Sequence, residues 1–403
     1  MIDVVVTGLG VVSAAGPDYR SLAEALRTGR HCGSNYSTAL PVQQVAKVPT
    51  SIERVMGFDD DRKAWLALDA LEQALEDAGD LGHARKSVFL GTGLSSVTPD
   101  ELEDDAYPHL RPDGSGFDRA ALLADLTSTR SAPYRHDPVR VTNAVASRVG
   151  ATGPCGTSFS ACAAAAQAIA EGLRAIRRGD AEVAIVGGHD SMIHPFGMLS
   201  FIVLGALSPT ACRPFDAHRD GFMIGEGAAV LILERRDRAA ARGARIRASL
   251  LGAGTSVDGY AATAPQPEGL GAEAAMRSAL RDAGLDATAV DYVNAHATGT
   301  PVGDSAEAAA IRRVVPTAQV SSIKGAVGHT IAAAGAIEAV ACIAALEGGF
   351  MPGTAGLETI DPQLNVSVVR GPLGRAPEVV MSNSFGFGGQ NASLVLSHGE
   401  ARL

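Results

Sequence analysis

Cations are in deficit in this sequence: 34 Lys and Arg stand against 44 Asp and Glu, for a net charge of −10 over 403 residues. No Lys/Arg cluster of the kind that tracks phosphates occurs, so nucleic acid is not an expected partner. Cysteine is also scarce. The five cysteines (Cys32, Cys155, Cys162, Cys212, Cys342) are scattered without close pairing, which argues against a disulfide framework or a structural zinc site. No apolar run reads as long enough to cross a membrane, and the chain enters a strand at Val4 with neither a basic nor an apolar leader before it. These absences predict a cytoplasmic protein with no membrane partner. What the sequence does have is apolar residues, 46% of the total, enough for two or three ordinary domains or one large intertwined unit.

The chain is organised around Gly153 to Gly172. A Gly/Pro turn leads to Ser160, a plausible N-cap, and then to a run of strong helix formers, which places Cys162 in the first turn of a helix. Unpaired N–H groups and the positive end of the helix dipole would lower a thiol pKa there and make a nucleophile. The alternative for Cys162 is a small inert core residue. Small side chains on every face suggest a helix packed closely on all sides.

Other elements follow in order. Val4 to Val6 form a buried strand ending at Thr7-Gly8-Leu9-Gly10, which is not a dinucleotide loop because Ser13 replaces the third glycine. Residues 60 to 79 have helical periodicity and stop at Gly79. Val88-Phe89-Leu90 is a strand followed by the loop Gly91-Thr92-Gly93. The acidic stretch from about 97 to 140 reads as a solvated insertion or as a lid or subunit-contact layer. Glu182 to Gly188 suits a central strand buried on both faces.

A repeat runs through the chain. Ala74-Leu75-Glu76-Asp77-Ala78-Gly79 recurs as Ala279-Leu280-Arg281-Asp282-Ala283-Gly284, and at the same offset Val88 to Gly91 falls on Val293 to His296. The Cys162 helix is echoed weakly in Thr330 to Leu346, and Gly225 to Leu233 in Gly388 to Leu396. Two α/β halves, 1–240 and 241–403, are the simplest account. Each would supply a mixed sheet, with two small-residue helices between the sheets in a five-layer αβαβα sandwich. His296 then lies just past a strand and His329 just before a helix. Either could be a structural histidine, and a zinc site built from Cys162 and both histidines has suitable ligand types but no local spacing and no obvious fourth ligand.

Four blocks resemble the signatures of the elongating β-ketoacyl-acyl-carrier-protein synthases: Ser160-Ala161-Cys162-Ala163, Val293 to Pro301, Lys324 to Gly335, and Asn383 to Asn391. The resemblance spans essentially the whole chain and implies the thiolase fold. It also implies decarboxylative Claisen condensation of a malonyl group with an acyl group held on Cys162. By the same resemblance His296 and His329 bind the malonyl thioester carbonyl, Lys324 is the family's lysine, and Glu338 is its buried carboxylate partner. The backbone N–H groups of Cys162 and Phe387 form the oxyanion hole, with Phe387 as a gate. No cofactor is implied directly; substrates ride on the phosphopantetheine of an acyl carrier protein, a partner for which Arg62 and Lys63 match docking positions or else form a solvated helix face. The implied assembly is a homodimer, or a heterodimer with a chain-length-factor-like subunit.

Some positions depart from the pattern: Ala297 for glycine, Gly325 for serine and Gln390 for threonine. Together with polar residues at Thr98-Pro99-Asp100-Glu101, where the family places the far end of the acyl pocket, they suggest a branch away from housekeeping fatty acid synthesis. Gly188 to Gly197 and Phe201 to Leu207 look closest to ketosynthases of type II polyketide systems that make polyenes. The competing expectation is a catalytically silent chain-length-factor-like partner, which Cys162 speaks against. A degradative thiolase is disfavoured because the last block lacks a second cysteine.

Overall fold

Strand order carries the duplication into three dimensions. The computed structural model describes residues 2–36, 40–49, 58, 61–93, 107–126 and 137–399. Its strands in the first half of the chain are β1 (Val4–Val12), β2 (Ser34–Asn35), β3 (Gln44–Val45), β4 (Lys86–Thr92), β5 (Cys155–Ser158), β6 (Val183–Ser191) and β7 (Glu226–Arg235). The second half supplies β8 (Ala248–Val257), β9 (Tyr292–Asn294), β10 (Gln319–Ser321), β11 (Ser367–Val368), β12 (Val379–Gly386) and β13 (Gln390–His398). Strands β2 and β3 pair with each other, and the rest run β11-β10-β9-β12-β13-β8-β1-β7-β6-β4-β5.

Reading outward from the β8–β1 contact, β1-β7-β6-β4-β5 matches β8-β13-β12-β9-β10. On both sides two antiparallel contacts are followed by two parallel ones. The expectation of two separate sheets needs one amendment: Val5 opposite Ser249 and Val6 opposite Ala248 join them along a short antiparallel edge.

The helices complete the layers. Arg62–Ala78 covers β1, β7 and β6 from outside, and Leu270–Ala283 covers β8 and β13. Between the sheets, Ala164–Arg178 and Ala334–Gly348 touch each other and strands of both halves. The repeated Asp explains part of this order. Asp77 accepts the Leu9 N–H at 3.0 Å and Asp282 accepts the Ala253 N–H at 2.9 Å, so each outer helix is tied to the first strand of its own half.

The glycines of Thr7-Gly8-Leu9-Gly10 have a packing role. A Cβ on Gly10 would lie 2.0 Å from the Ala70 carbonyl oxygen, and one on Gly254 would lie 2.1 Å from that of Ala275, so strand and helix touch through glycine in both halves. One apolar helical run, Ile331–Gly348, does reach spanning length and hydropathy, contrary to the reading from sequence. It is 89% buried at the centre of the sandwich, where a helix apolar on all faces belongs.

Candidate active site

The nucleophile candidate sits on a turn rather than inside the helix proper. Ala161–Ala163 form one turn of 3-10 helix and the α-helix begins at Ala164. Ser160 is not its side-chain cap; the Ser160 hydroxyl donates to Gln167 Oε1 at 2.7 Å, and Gln167 in turn lies 3.5 Å from Gln390 Oε1. Ala161 adopts a φ of 48°, a left-handed conformation that alanine rarely takes. This kink presents Cys162, 3% exposed, to a cavity of about 310 Å³ that also touches His296, His329, Thr298, Thr300, Phe385 and Phe387.

Both histidines meet the cysteine. His329 Nε2 lies 3.1 Å from Cys162 Sγ, and the two imidazoles pack edge to face with centroids 5.2 Å apart. The His329 backbone is pinned on both sides: its N–H donates to the Met223 carbonyl and its carbonyl accepts from Gly225, both at 2.8 Å. His296 is held through its main chain, because Glu307 accepts the N–H groups of His296 and Ala297 at 2.9 and 2.7 Å. Burial lowers both imidazoles well below their usual range, and the Lys324 charge adds to this, so both are neutral near pH 7. Lys324 itself is buried and paired with Glu338. Burial pushes the Glu338 carboxyl up to about 7 against the pull of that lysine.

The thiol corrects the sequence reading of a lowered pKa. Burial pushes Cys162 up to about 11; the Phe387 N–H, the Lys324 charge and the Cys162 N–H oppose the rise, and the Asp190 charge reinforces it. Desolvation outweighs the helix end, so Cys162 rests as a neutral thiol beside a neutral imidazole. That arrangement suits proton transfer to His329 at the moment of attack rather than a standing thiolate. The N–H groups of Cys162 and Phe387 both favour negative charge at the sulfur, next to the place an acyl carbonyl oxygen would take. Phe387 stacks on Phe201, centroids 6.3 Å apart, over the same cavity.

Cys162, His296 and His329 offer ligand atoms within 4.8 Å of one another, the donor set of an open zinc site. The fit to zinc fails because, among the described residues, Nδ1 of each histidine is buried with no partner, whereas a metal-bound imidazole is oriented through a hydrogen bond from its other nitrogen. We therefore read the three as an acid–base and nucleophile set.

The family description "Beta-ketoacyl synthase, N-terminal domain" matches residues 1–239, and "Beta-ketoacyl synthase, C-terminal domain" matches 247–358. The chain belongs to the β-ketoacyl synthase family. It is 34% identical to a 3-oxoacyl-[acyl-carrier-protein] synthase 2 of Staphylococcus aureus, with 99% of each chain covered. It is 36% identical to a putative polyketide beta-ketoacyl synthase 1 of Streptomyces halstedii, again over 99% of both. Among solved structures it matches a beta-ketoacyl synthase from Burkholderia phymatum with a TM-score of 0.86 at 32% identity, covering 99% of this chain and 100% of that one. It matches the ishigamide ketosynthase/chain length factor with a TM-score of 0.82 at 31% identity, over 98% and 99%. As a β-ketoacyl synthase it is an acyl-transferring condensing enzyme with the thiolase-like fold.

Two further expectations concern the carrier-docking positions and the far end of the acyl pocket. Arg62 and Lys63 do not form the solvated helix face that was the alternative to docking. Arg62 makes two hydrogen bonds to the buried Glu226, at 2.7 and 2.6 Å, and Lys63 is only 7% exposed. Thr98-Pro99-Asp100-Glu101 lies outside the described residues.

Sequence reading missed Glu307 and Asp304. Asp304 accepts the Phe215 and Gly299 N–H groups, and burial raises Asp304 to about 6 and Glu307 to about 7. The available signal was their spacing: two carboxylates three apart in the helix Pro301–Val314, directly after the His296 loop, share one buried face.

Proposed function

We propose that Cys162 takes the acyl group and that His296 and His329 drive decarboxylation, the two half-chains 1–240 and 241–403 supplying nucleophile and histidines respectively. The observation that carries this reading is His329 Nε2 at 3.1 Å from a buried Cys162 Sγ, where the Phe387 and Cys162 N–H groups favour negative charge. As sulfur attacks the acyl thioester, its proton passes to His329 Nε2 and the oxyanion is held by the two N–H groups. Collapse releases the carrier thiol, which takes that proton back. The malonyl thioester then enters with its carbonyl oxygen toward the two imidazoles. With His329 in the tautomer that carries its proton on Nε2, loss of carbon dioxide leaves an enolate stabilised by the two imidazole N–H groups; its carbon attacks the acyl carbonyl, and the Cys162 thiolate is expelled and takes a proton from water. Burial keeps both histidines neutral, the Lys324 charge adds to this, and Glu338 balances that charge in the interior.

Acyl carrier protein is the delivery partner and its phosphopantetheine carries the substrates. We assign the chain to a polyketide branch, supported by Ala297, Gly325 and Gln390 and by likeness to chains titled ketosynthase/chain length factor. The working unit is a dimer, with a second copy or with a chain-length-factor-like subunit. Among the described residues the outermost strand β5 pairs on one side only, which offers an edge for such a partner. A cytoplasmic setting suits five cysteines that are all free.

Intact mass after exposure to acyl carrier proteins tests the assignment. The wild type should gain one acyl group and Cys162→Ala none, since alanine suits that turn. Replacing His296 or His329 with alanine should cost malonyl turnover about a hundredfold while His296→Ala still loads acyl. Adducts persisting in Cys162→Ala, or parallel losses in both half-reactions for His296→Ala, would show the roles to be misassigned.

A further inference from the structure

The carboxyl ends of β4 and β6 carry polar groups that the fold leaves without partners. Thr92 and His189, the last pair in that parallel register, lie on the same side of the sheet as Val88, Leu90, Val183 and Ile185, under the helix Arg62–Ala78. Both are buried, and among the described residues neither the Thr92 hydroxyl nor either ring nitrogen of His189 has a hydrogen-bond partner. His194 caps the helix Pro195–Val203 by accepting the Gly197 N–H on Nδ1 at 3.3 Å, which leaves the ring proton on Nε2, and that buried N–H has no partner either. Burial lowers His189 to about 3 and His194 below its usual range, and the Lys63 charge adds to both, so one neighbourhood holds two neutral rings. A buried polar group without a partner costs stability, and several at one spot call for a polar ligand.

This spot lies at the end of the sheet where the nucleophile is. Asp190, next to His189, accepts the Ala332 N–H, and its charge reaches both Cys162 and Lys63. Apolar packing fills the way between: Met192, Met198, Phe201 and Ile331 share one cluster with Cys162. The helix Pro195–Val203 spans the distance. Phe201 stacks on Phe387 at the catalytic end, and His194 caps the other end seven residues away, ~10 Å at the helical rise of ~1.5 Å per residue. Methionine side chains adapt readily, so Met192 and Met198 can make way for a chain. In open α/β sheets, ligands bind beyond the carboxyl ends of the strands.

We propose that Thr92, His189 and His194 form a distal subsite for the acyl chain held on Cys162, selecting chains that carry a neutral oxygen, hydroxyl or keto, at that depth over wholly saturated ones. The proposal rests on the condensing reading above and names its substrate class. The donors set the ligand chemistry. The Thr92 O–H, one N–H of His189 and the His194 Nε2–H can all donate to oxygen, and the second nitrogen of His189 can accept from a hydroxyl. Lys63 excludes a cation, and a carboxylate would meet the charges of Asp190 and Asp61, which already repel each other. A hydrocarbon at this point leaves every one of these groups unpaired, and a site built to hydrogen-bond a substrate oxygen rejects the analogue that lacks it.

The test follows acylation of Cys162 by intact mass, using N-acetylcysteamine thioesters from hexanoyl to dodecanoyl, each beside its terminal-hydroxyl counterpart. At the length that reaches the subsite, the wild-type kcat/KM for the hydroxylated chain should exceed that for the saturated one about tenfold or more, the effect of roughly one hydrogen bond. Thr92→Val combined with His189→Leu removes the partners while keeping the space filled. It should abolish or reverse the preference, with a melting temperature that stays level or rises, since unpaired buried groups are gone. Thr92→Val alone, the milder change, should lose part of the preference, and Thr92→Ser, which keeps the hydroxyl, should retain it. No preference at any length in the wild type, an undiminished preference in both Val variants, or equal losses for the two series would each overturn the subsite. No adduct on Cys162 from either series would overturn the condensing reading, and the subsite with it.

Discussion

The turn Ala161–Ala163 and the turn Ile331–Ala333 occupy matching places in the two halves. Each is entered through a residue at positive φ, Ala161 at 48° and Ile331 at 46°, and each runs into a helix of 15 residues. Cys162 in the first corresponds to Ala332 in the second, and His329, three residues before Ala332, corresponds to Phe159. Each turn packs under the end of a strand from the opposite half, Cys162 under β12 and Ala332 under β6. The registers equate Ile185 with Met381, through Val88 and Val293, and therefore Asp190 with Gly386.

At that pair the halves part company. Asp190 Oδ2 accepts the Ala332 N–H at 3.1 Å, whereas Gly386 has no side chain and a Cβ there would already lie 3.0 Å from the Cys162 nitrogen. A carboxylate closes one amide; the missing side chain leaves its twin open to a substrate oxygen. The contact that Asp190 makes with the Ala332 N–H has no counterpart at Gly386, beside the proposed oxyanion hole.

The largest effect expected from breaking this contrast comes from Gly386→Asp, which copies the silent half into the active one. Condensation should fall by a hundredfold or more, the scale of losing an oxyanion donor. Gly386→Ala, which crowds the same space without an acceptor, should lose less. Steady-state rates with circular dichroism as the check on fold decide it, and equal losses in the two variants would mean that crowding, not the acceptor, matters.

A smaller effect is expected on the other side. Asp190→Ala frees the Ala332 amide and loosens the turn that follows His329, so we expect about a tenfold drop in decarboxylation, equivalent to roughly one hydrogen bond to a charged group. Acyl loading should fall in step, because His329 serves both half-reactions. His296→Ala provides the contrast, since its loss should fall mainly on decarboxylation. Decarboxylation and loading that both stay at wild-type rates in Asp190→Ala would remove Asp190 from any part in holding His329.

The duplication itself was legible because helix ends are written locally. Ala-Leu-x-Asp-Ala-Gly stops the outer helices at Ala78 and Ala283, with Gly79 and Gly284 capping them at positive φ. Cys162, His296, His329 and Lys324 were legible as residue types in recognisable blocks. Their consequences were not, since they depend on burial supplied by distant segments. Nothing near Cys162 in sequence announces that desolvation will outweigh the helix end, and nothing near Arg62 announces the buried Glu226 on β7 that claims its guanidinium. The asymmetry at Asp190 and Gly386 needs the strand registers before the two positions can be compared at all.

The finest probe of the contrast is the thiol's own titration. Cys162 sits at about 11 because burial disfavours the thiolate, and Asp190 contributes a further rise; Asp190, at about 6, is ionised throughout the alkaline range in which the thiol titrates. The sign follows from the raised value. An unfolded cysteine releases its proton near pH ~8.5, while the folded chain holds it longer, so the buried thiol costs stability as pH rises through that value and its thiolate becomes abundant only toward pH 11. Alkylation of Cys162 by neutral iodoacetamide, followed peptide by peptide to separate it from the exposed Cys155, should therefore keep accelerating beyond the range where an ordinary thiol levels off. Asp190→Asn removes the charge while leaving an acceptor for one of the two amides that Asp190 holds, Ser191 and Ala332. Its profile should shift to lower pH. A wild-type profile that plateaus below pH ~8 would mean that the helix end, not burial, governs the nucleophile, and an unshifted Asp190→Asn profile would confine the carboxylate to a structural role in the silent half.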